Sequence, residues 1–462
     1  MTEPLQAVVT TGIYCRASCS ARPAARNVRP VSSPVAAEAA GYRPCLKCRS
    51  DRVHADPNVE STEVTRAMAM ISDGYLDRHT EAELAHAVGY SARQLRRLFE
   101  LHVGATPDFV ARSRRAHFAR RMLDETNLTV TEIAYASGFN SLRQMNRVVK
   151  DIFAFTPTEL RAKRRRNQSS ATDGGLTLTI EAPPSAPDII SYLAPRSIPG
   201  VEQVVDDRYL RTIVSCGHPG VIEVAANDEG ALEITAHLPT FASLVDDIAA
   251  IKKVFGVVPD LAADRHLEHD PILRDLVRRR PGLRMPGAWD PFEIAVRIVI
   301  GQHISVPGAT TITGRLVERL GSPIEATVSP GLTHTFPTPG AVAGGDLSGL
   351  GLTRKREETL RSLSGRVETG WFDSLSGLSL QDLTGELEAL PGIGPWTSNL
   401  IAARAFGHRD AFPASDLGLR KAGAVLTGRS TTLNVREMTR LAEDWRPYRA
   451  TAAAHLWFSG GV

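Results

Sequence analysis

Four of the five cysteines in this 462-residue chain fall within 34 residues, as Cys15-x3-Cys19, a gap of 25, and Cys45-x2-Cys48. Such clustering is not chance. Four thiolates at paired spacing suit one tetrahedral zinc ion, and spacing alone is satisfied by a purely structural zinc clip. Whatever else the chain does, its first 50 residues are expected to fold around that quartet.

The residues around the cysteines say more. Thr10-Thr-Gly-Ile-Tyr-Cys15-Arg-Ala-Ser-Cys19-Ser-Ala-Arg, then Ala36 through Tyr42-Arg-Pro-Cys45-Leu-Lys-Cys48, closely resembles the amino-terminal domain of the Ada adaptive-response proteins over residues 7–52. The resemblance implies that Cys15 accepts a methyl group from a methyl phosphotriester in DNA, with Cys19, Cys45 and Cys48 as the other zinc ligands. The chemistry is sound: a zinc-bound cysteine is held as thiolate, and the thiolate is the nucleophile. Four thiolates on one Zn2+ carry a net charge of −2, which opposes a phosphate backbone. Methylation leaves −1, so DNA affinity is expected to rise. Family members carry a longer segment ahead of this box than the nine residues found here, which bears on DNA docking more than on metal binding.

Length suggests two to four domains. Apolar content of 42% supports several cores. No apolar run reaches membrane-spanning length and no signal peptide opens the chain, so a cytoplasmic, nucleoid-associated protein without a membrane partner is expected. Cys216 stands alone in an apolar-leaning stretch and reads as an ordinary core thiol. Charge is uneven. Residues 1–170 hold 26 Lys and Arg against 17 acidic residues, and the remainder holds 28 against 34. The basic front half is therefore expected to grip phosphate.

Glu83-Leu-Ala-His-Ala-Val-Gly89 reads as a helix ending in a glycine turn. Ser91 then caps a second helix with Leu95, Leu98 and Phe99 on one face. The unit repeats as Thr131 through Gly138, Ser141, and a helix carrying Met145, Val148 and Val149. Thr106-Pro107 and Thr156-Pro157 close the two units. Arg93, Arg96, Arg97, Arg143 and Arg147 lie on the polar faces of the second helices. The region resembles the AraC-type DNA-binding domain, with Arg112–Asp124 as its joining helix and Ala154 where a glycine is usual. That resemblance implies promoter DNA as a partner and RNA polymerase beyond it. The run Arg161 to Arg166 suits phosphate contact or simple solvation, and 167–175 reads as a flexible linker.

A second region opens with alternation at Leu176, Leu178 and Ile180. Further strands are expected at Tyr209–Val214, Gly220–Ala225 and Ala231–His237. After residue 241 the pattern turns helical, with Phe292, Ala295, Val296, Val299 and Ile300 on one face. Leu390-Pro-Gly392-Ile393-Gly394-Pro-Trp396 is a tight glycine hairpin opening a helix, whose backbone N–H groups suit a DNA phosphate. Phe412-Pro-Ala-Ser-Asp416 follows about 20 residues on. Together these resemble the helix-hairpin-helix glycosylase superfamily. Three more stretches, Ala194–Glu202, Asp290–Ser305 and Trp445–Trp457, look like the AlkA 3-methyladenine DNA glycosylases.

That resemblance implies that Asp416 is the catalytic aspartate, that Trp396 and Trp457 line the base pocket, and that Gln302-His303 is the wedge entering the gap left by the flipped base. It implies a monovalent cation on the hairpin carbonyls. Trp396 occupies the position of the lysine nucleophile in strand-cleaving relatives, so a monofunctional hydrolase is expected. Cys216 alone cannot hold an iron–sulfur cluster. An N3- or N7-alkylated purine is cationic, must be flipped from the duplex, and stacks well on indole faces. Asp416 would either stabilise the oxocarbenium-like sugar or activate water. No Pro-Cys-His-Arg motif occurs, so repair of O6-methylguanine is not expected.

The fold expected is multidomain. A small α+β zinc domain (1–56) and an all-α double helix-turn-helix domain (57–166) precede the linker (167–175). An α+β glycosylase follows, with an antiparallel sheet subdomain (176–265) and a helical helix-hairpin-helix region (266–462). Two other readings are a transcription activator with an inactive glycosylase half, and a glycosylase with a non-sensing DNA tether. The complete cysteine quartet, Asp416 and both tryptophans favour the fused damage-response reading.

Overall fold

The computed structural model describes residues 4–52, 62–163, 175–227, 230–257, 261–325 and 328–459. The linker, apart from Gly175, and Arg164 to Arg166 lie outside the described residues. The chain divides into two compact units, 1–171 with 240–249, and 172–239 with 250–462.

In the first unit a four-stranded sheet has the order β3-β1-β2-β4, from β1 (Leu5–Val8), β2 (Ile13–Arg16), β3 (Val28–Val31) and β4 (Arg43–Pro44). Helix α1 (Pro34–Ala39) starts where the Ser33 side chain accepts the Ala36 N–H, with proline at its first turn. The sheet brings the two cysteine pairs together. Cys15 sits on β2, and β4 runs parallel to β2, so that the Cys45 N–H donates to Tyr14 O at 3.0 Å.

The helix-turn-helix repeats are set by their caps. Helices α2 (Glu81–Ala87) and α3 (Ala92–His102) begin with capping boxes, Thr80 with Glu83 and Ser91 with Gln94. Helix α5 (Val130–Ala136) does the same through Thr129 and Glu132, and Ser141 caps α6 (Leu142–Phe153). Leu95 and Phe99 are buried from α3, and Met145, Val148 and Val149 from α6. The joining helix is longer than expected: α4 spans Pro107–Glu125. The reason is chemical. The Thr106 hydroxyl accepts the Phe109 N–H and Pro107 takes the first helical position, so this Thr-Pro pair opens a helix and does not close the unit before it. Thr156-Pro157 likewise opens α7 (Pro157–Ala162). Ala154 ends α6 in the left-handed region, at φ 59°.

In the second unit five antiparallel strands take the order β5-β9-β8-β7-β6. They are β5 (Leu176–Glu181), β6 (Glu202–Val205), β7 (Arg208–Ser215), β8 (His218–Ala226) and β9 (Ala231–His237). The short edge strand β6 was not among the strands expected. Cys216 is not a core residue. Ser215 pairs with His218, so Cys216 and Gly217 form the two-residue turn between β7 and β8, both at positive φ, and Cys216 is exposed.

Buried charges tie this sheet to the helical body. Arg211 on β7 reaches Glu293 at 2.7 Å and Glu202 at 3.4 Å, while Arg297 reaches Glu202 at 3.1 Å and Glu293 at 3.4 Å. Glu293 and Arg297 lie on helix α9 (Pro291–Ile300), whose apolar face, including Ala295, Val296 and Val299, enters one large core. Two cations and two carboxylates close a neutral square, which makes their burial tolerable. Among the described residues no helix is long and apolar enough to cross a membrane.

Candidate functional site: a thiol quartet and a clamped aspartate

The sulfur atoms of Cys15, Cys19, Cys45 and Cys48 all lie within 4.8 Å of one another. The first three are buried; Cys15 is only 3% exposed, and Cys48 is the most open. Backbone donors are already aimed at the sulfurs. Burial opposes ionisation of Cys45, but the N–H groups of Cys48 and Lys47 outweigh it and hold the thiol below its ordinary range. Burial and the neighbouring sulfurs push Cys15 well above that range. Cys48 is pushed up to about 11, by burial first and despite the Arg16 N–H at 3.5 Å from its sulfur. Four sulfurs gathered within 4.8 Å of one another fit one divalent soft-metal ion.

Behind this quartet lies Glu38 of α1, its side chain fully buried. One oxygen accepts from the Tyr14 hydroxyl and faces His117 Nε2, both at 2.7 Å, and the other accepts from the Ser113 hydroxyl at 2.6 Å. Tyr14 precedes Cys15, whereas Ser113 and His117 lie on α4. Arg49, next to Cys48, pairs with Asp124 of α4 at 2.7 Å. The thiol domain and the helix-turn-helix domain are thus fastened within one unit.

The five arginines of the expected recognition helices are all exposed. Arg93 and Arg97 stand four residues apart on α3, as Arg143 and Arg147 do on α6, which puts each pair on one face. Arg96 differs, because its Nε donates to Glu81 at 2.6 Å.

In the second unit Asp416 ends a loop and caps the helix that follows, α13 if α10 (Arg354–Glu368), α11 (Leu380–Glu388) and α12 (Pro395–Arg404) are counted before it and α13 is Leu417–Leu426. Its Oδ1 accepts the Leu419 N–H at 3.0 Å and the Trp457 Nε1–H at 3.1 Å, and its Oδ2 accepts the Trp396 Nε1–H at 3.0 Å. Cap and clamp are therefore the same carboxylate. Trp396 lies in the first turn of α12, and Trp457 ends α14 (Arg449–Trp457). Asn399 fixes the loop, since its side-chain oxygen accepts the Phe412 N–H at 3.0 Å and its amide donates to Pro395 O at 2.8 Å. Asp416 and both tryptophans line one cleft of about 1910 Å³, with His303 and Gln302 also on its wall.

The hairpin between α11 and α12 is held from behind. Gly392 has φ +92°, and a Cβ there would stand 2.0 Å from Thr359 Oγ1 on α10, so only glycine fits. Thr359 Oγ1 also donates to Pro391 O at 3.0 Å. Ile393 is buried in the core, while the backbone at Gly392 and Gly394 is partly open. Gln302 is not at the wedge tip. Its amide turns inward and donates to Gly392 O and to Thr397 Oγ1, both at 3.0 Å, while Arg356 donates to its carbonyl. His303 is exposed and holds φ +55°, a strained conformation for a residue with a Cβ. The bracing roles of Gln302, Thr359 and Asn399 had no sequence signal, because each depends on partners 13 to 95 residues away.

These features define a class: a four-thiol domain and a double helix-turn-helix domain in one unit, and a DNA-glycosylase fold in the other. The chain is 38% identical to the probable bifunctional transcriptional activator/DNA repair enzyme AlkA of Mycobacterium tuberculosis (strain H37Rv), across 98% of this chain and 92% of that one. It belongs to that family of bifunctional activator/repair proteins. Residues 5–51 match the metal binding domain of Ada, 84–163 a helix-turn-helix domain, and 175–290 the AlkA N-terminal domain. DNA-3-methyladenine glycosylase 2 of Escherichia coli K12 is 29% identical over 59% of this chain and 93% of its own. The 3-methyladenine DNA glycosylase structure from Archaeoglobus fulgidus shares the fold, with TM-score 0.54 and 22% identity, covering 60% of this chain and 97% of that one.

Proposed function

We propose that the second unit is a monofunctional DNA glycosylase for alkylated purines of the 3-methyladenine type. The first unit would be a methyl-phosphotriester-responsive regulator of transcription. The observation that carries the glycosylase reading is Asp416, held by both indole N–H groups at the wall of a cleft beside the hairpin. The hairpin N–H groups at Gly392 and Gly394 hold a phosphate of the strand, with the Ile393 N–H kept in the turn by Leu390 O at 3.1 Å; His303 enters the gap in the stack, and the extrahelical purine stacks on the faces of Trp396 and Trp457. A positively charged purine gains most from such faces. As the N-glycosidic bond lengthens, positive charge grows on the sugar.

Asp416 is suited to meet that charge. A carboxylate offers about four acceptor positions, and three here are taken by N–H donors. Those donors fix the carboxylate and stabilise its negative charge, which favours electrostatic stabilisation over removal of a proton from water. A monovalent cation would use hairpin carbonyls other than Gly392 O, which Gln302 occupies.

In the first unit zinc, when bound, keeps the four sulfurs as thiolates. Cys15 Sγ then attacks the methyl carbon of a phosphotriester; the S–C bond forms, the C–O bond breaks, and the phosphodiester leaves as an anion. The sulfur cluster loses one negative charge, and the basic faces of α3 and α6 meet less opposition from phosphate. The regulator would then hold promoter DNA and engage RNA polymerase. Single-turnover base release from duplex DNA containing 3-methyladenine tests the glycosylase reading: the wild type should release the base, and Asp416→Asn should be slower by about 10²–10³-fold. Equal rates would exclude Asp416 from the chemistry.

A further inference from the structure

The cleft continues past the two indoles. Trp396, Leu400 and Arg404 follow one another at four-residue intervals along α12, and all three line it. Eight residues of helix place the Arg404 Cα roughly 12 Å along the axis from Trp396, and helical side chains lean back toward the N-terminus. Tyr192, on helix α8 (Ala186–Leu193), also lines the cleft. Its ring stacks on Phe458 at 5.0 Å, directly after Trp457, and carries the Arg196 guanidinium at 3.8 Å.

Arg404 is a partly buried cation with no salt bridge to a carboxylate among the described residues. Its Nε donates to Pro286 O at 3.0 Å, and its terminal nitrogens have no hydrogen-bond partner among the described residues. The nearby carboxylates are committed elsewhere: Glu202 and Glu293 to Arg211 and Arg297, and Asp188 to Arg280. Burial, together with the Arg297 and Arg196 cations, pulls its guanidinium below the usual arginine range despite Tyr192 and Glu202. A guanidinium whose terminal N–H groups face a cleft can donate to an acceptor that a ligand brings there.

We infer that Arg404 is a specificity-determining residue that reads a hydrogen-bond acceptor, above all a carbonyl oxygen, on the far edge of the extrahelical base. This rests on the glycosylase reading. A guanidinium presents donors only. The 6-carbonyl edge of hypoxanthine or 7-methylguanine meets it with an acceptor, whereas the 6-amino edge of an adenine-type base sets donor against donor. The fixed positive charge is common to 3-methyladenine and 7-methylguanine, so the 6-amino against 6-carbonyl edge is what separates them. Arg404 thus widens the range of released bases toward 6-oxopurines, while the indoles serve the cationic adenines.

The test compares single-turnover release of hypoxanthine, 7-methylguanine and 3-methyladenine from otherwise identical duplexes by the full-length wild type, Arg404→Met and Arg404→Lys. Methionine should slow release of the two 6-oxopurines by roughly 10-fold or more and leave 3-methyladenine unchanged or faster, with lysine between. An equal fall for all three bases, or no change, overturns the inference. Free-base binding to unmutated protein, followed by indole fluorescence, needs neither turnover nor a variant. Hypoxanthine should bind roughly 10-fold more tightly than adenine, and equal affinity overturns the inference. If the wild type released no base from DNA, the glycosylase reading would fail while this binding comparison still decided the role of Arg404.

Discussion

The Trp396 indole donates its Nε1–H to Asp416 Oδ2 at 3.0 Å, so one side chain both walls the cleft and fixes the carboxylate that, in the proposed function, meets the charge on the sugar. The two duties are separable. Trp396→Phe keeps a ring to stack on but removes the donor. A hydrogen bond to a charged group contributes about 1.5–3 kcal/mol. Single-turnover rate should therefore fall roughly 10- to 100-fold, while DNA affinity changes little. Trp396→Ala should weaken both. If phenylalanine retained the full rate, the clamp would have no catalytic role.

Gly392→Ala tests the hairpin. The new methyl would collide with Thr359 Oγ1 at 2.0 Å, in a backbone region closed to alanine. Binding to undamaged duplex should fall along with base release, since the phosphate contact is lost. Removing the brace behind it, with Gln302→Leu, should have a smaller effect in the same direction, because Gly392 O and Thr397 lose a donor. Filter-binding titrations with both variants check the order. A Gln302→Leu protein with normal DNA affinity and normal release would make the brace irrelevant.

Glu38 carries the joint between the thiol domain and α4. Glu38→Ala strands the Tyr14 and Ser113 hydroxyls and the His117 ring, and should destabilise the first unit by about 3 kcal/mol. Hydrogen–deuterium exchange of α1 and α4 should rise together. Exchange confined to α1 would mean that the joint is not shared.

His117 gives that joint a pH dependence. Burial alone would lower its ring, but the Glu38 carboxylate, helped by Asp51, outweighs burial and raises it above the ordinary imidazole range. A raised folded pKa contributes stability that is fully present below the unfolded value of about 6.5 and is lost as pH rises through the folded value. Protection of α4 amides, corrected for intrinsic exchange, should fall as pH rises above about 6.5. His117→Gln should flatten that decline, and an unchanged decline in the variant would assign it to another group.

Much of this architecture is legible along the chain, for local reasons. Capping residues such as Ser91 and Thr129, the glycine turns at Gly89 and Gly138, and the alternation at Leu176, Leu178 and Ile180 act within a few residues of themselves. The cysteine pairs and Asp416 with its tryptophans are legible as motifs. What escapes is set by distant partners. Gln302 looks like half of a wedge until Gly392, 90 residues away, turns its amide inward. Cys216 sits among apolar neighbours, yet the Ser215–His218 pairing makes it a turn residue. The Thr106-Pro107 pair reads as an end but caps a beginning. The joint at Glu38 unites three segments that share no motif.

The central claim is that a live methyl acceptor and a repair enzyme share one chain. Peptide mass spectrometry of the zinc-loaded protein after incubation with methyl-phosphotriester DNA tests the methyl-acceptor half directly. The quartet makes the readout discriminating, because Cys15 is buried and Cys48 is the more open sulfur. The account predicts a single added methyl on Cys15. An unmodified Cys15 with zinc retained, or a methyl on Cys48 in its place, would contradict it.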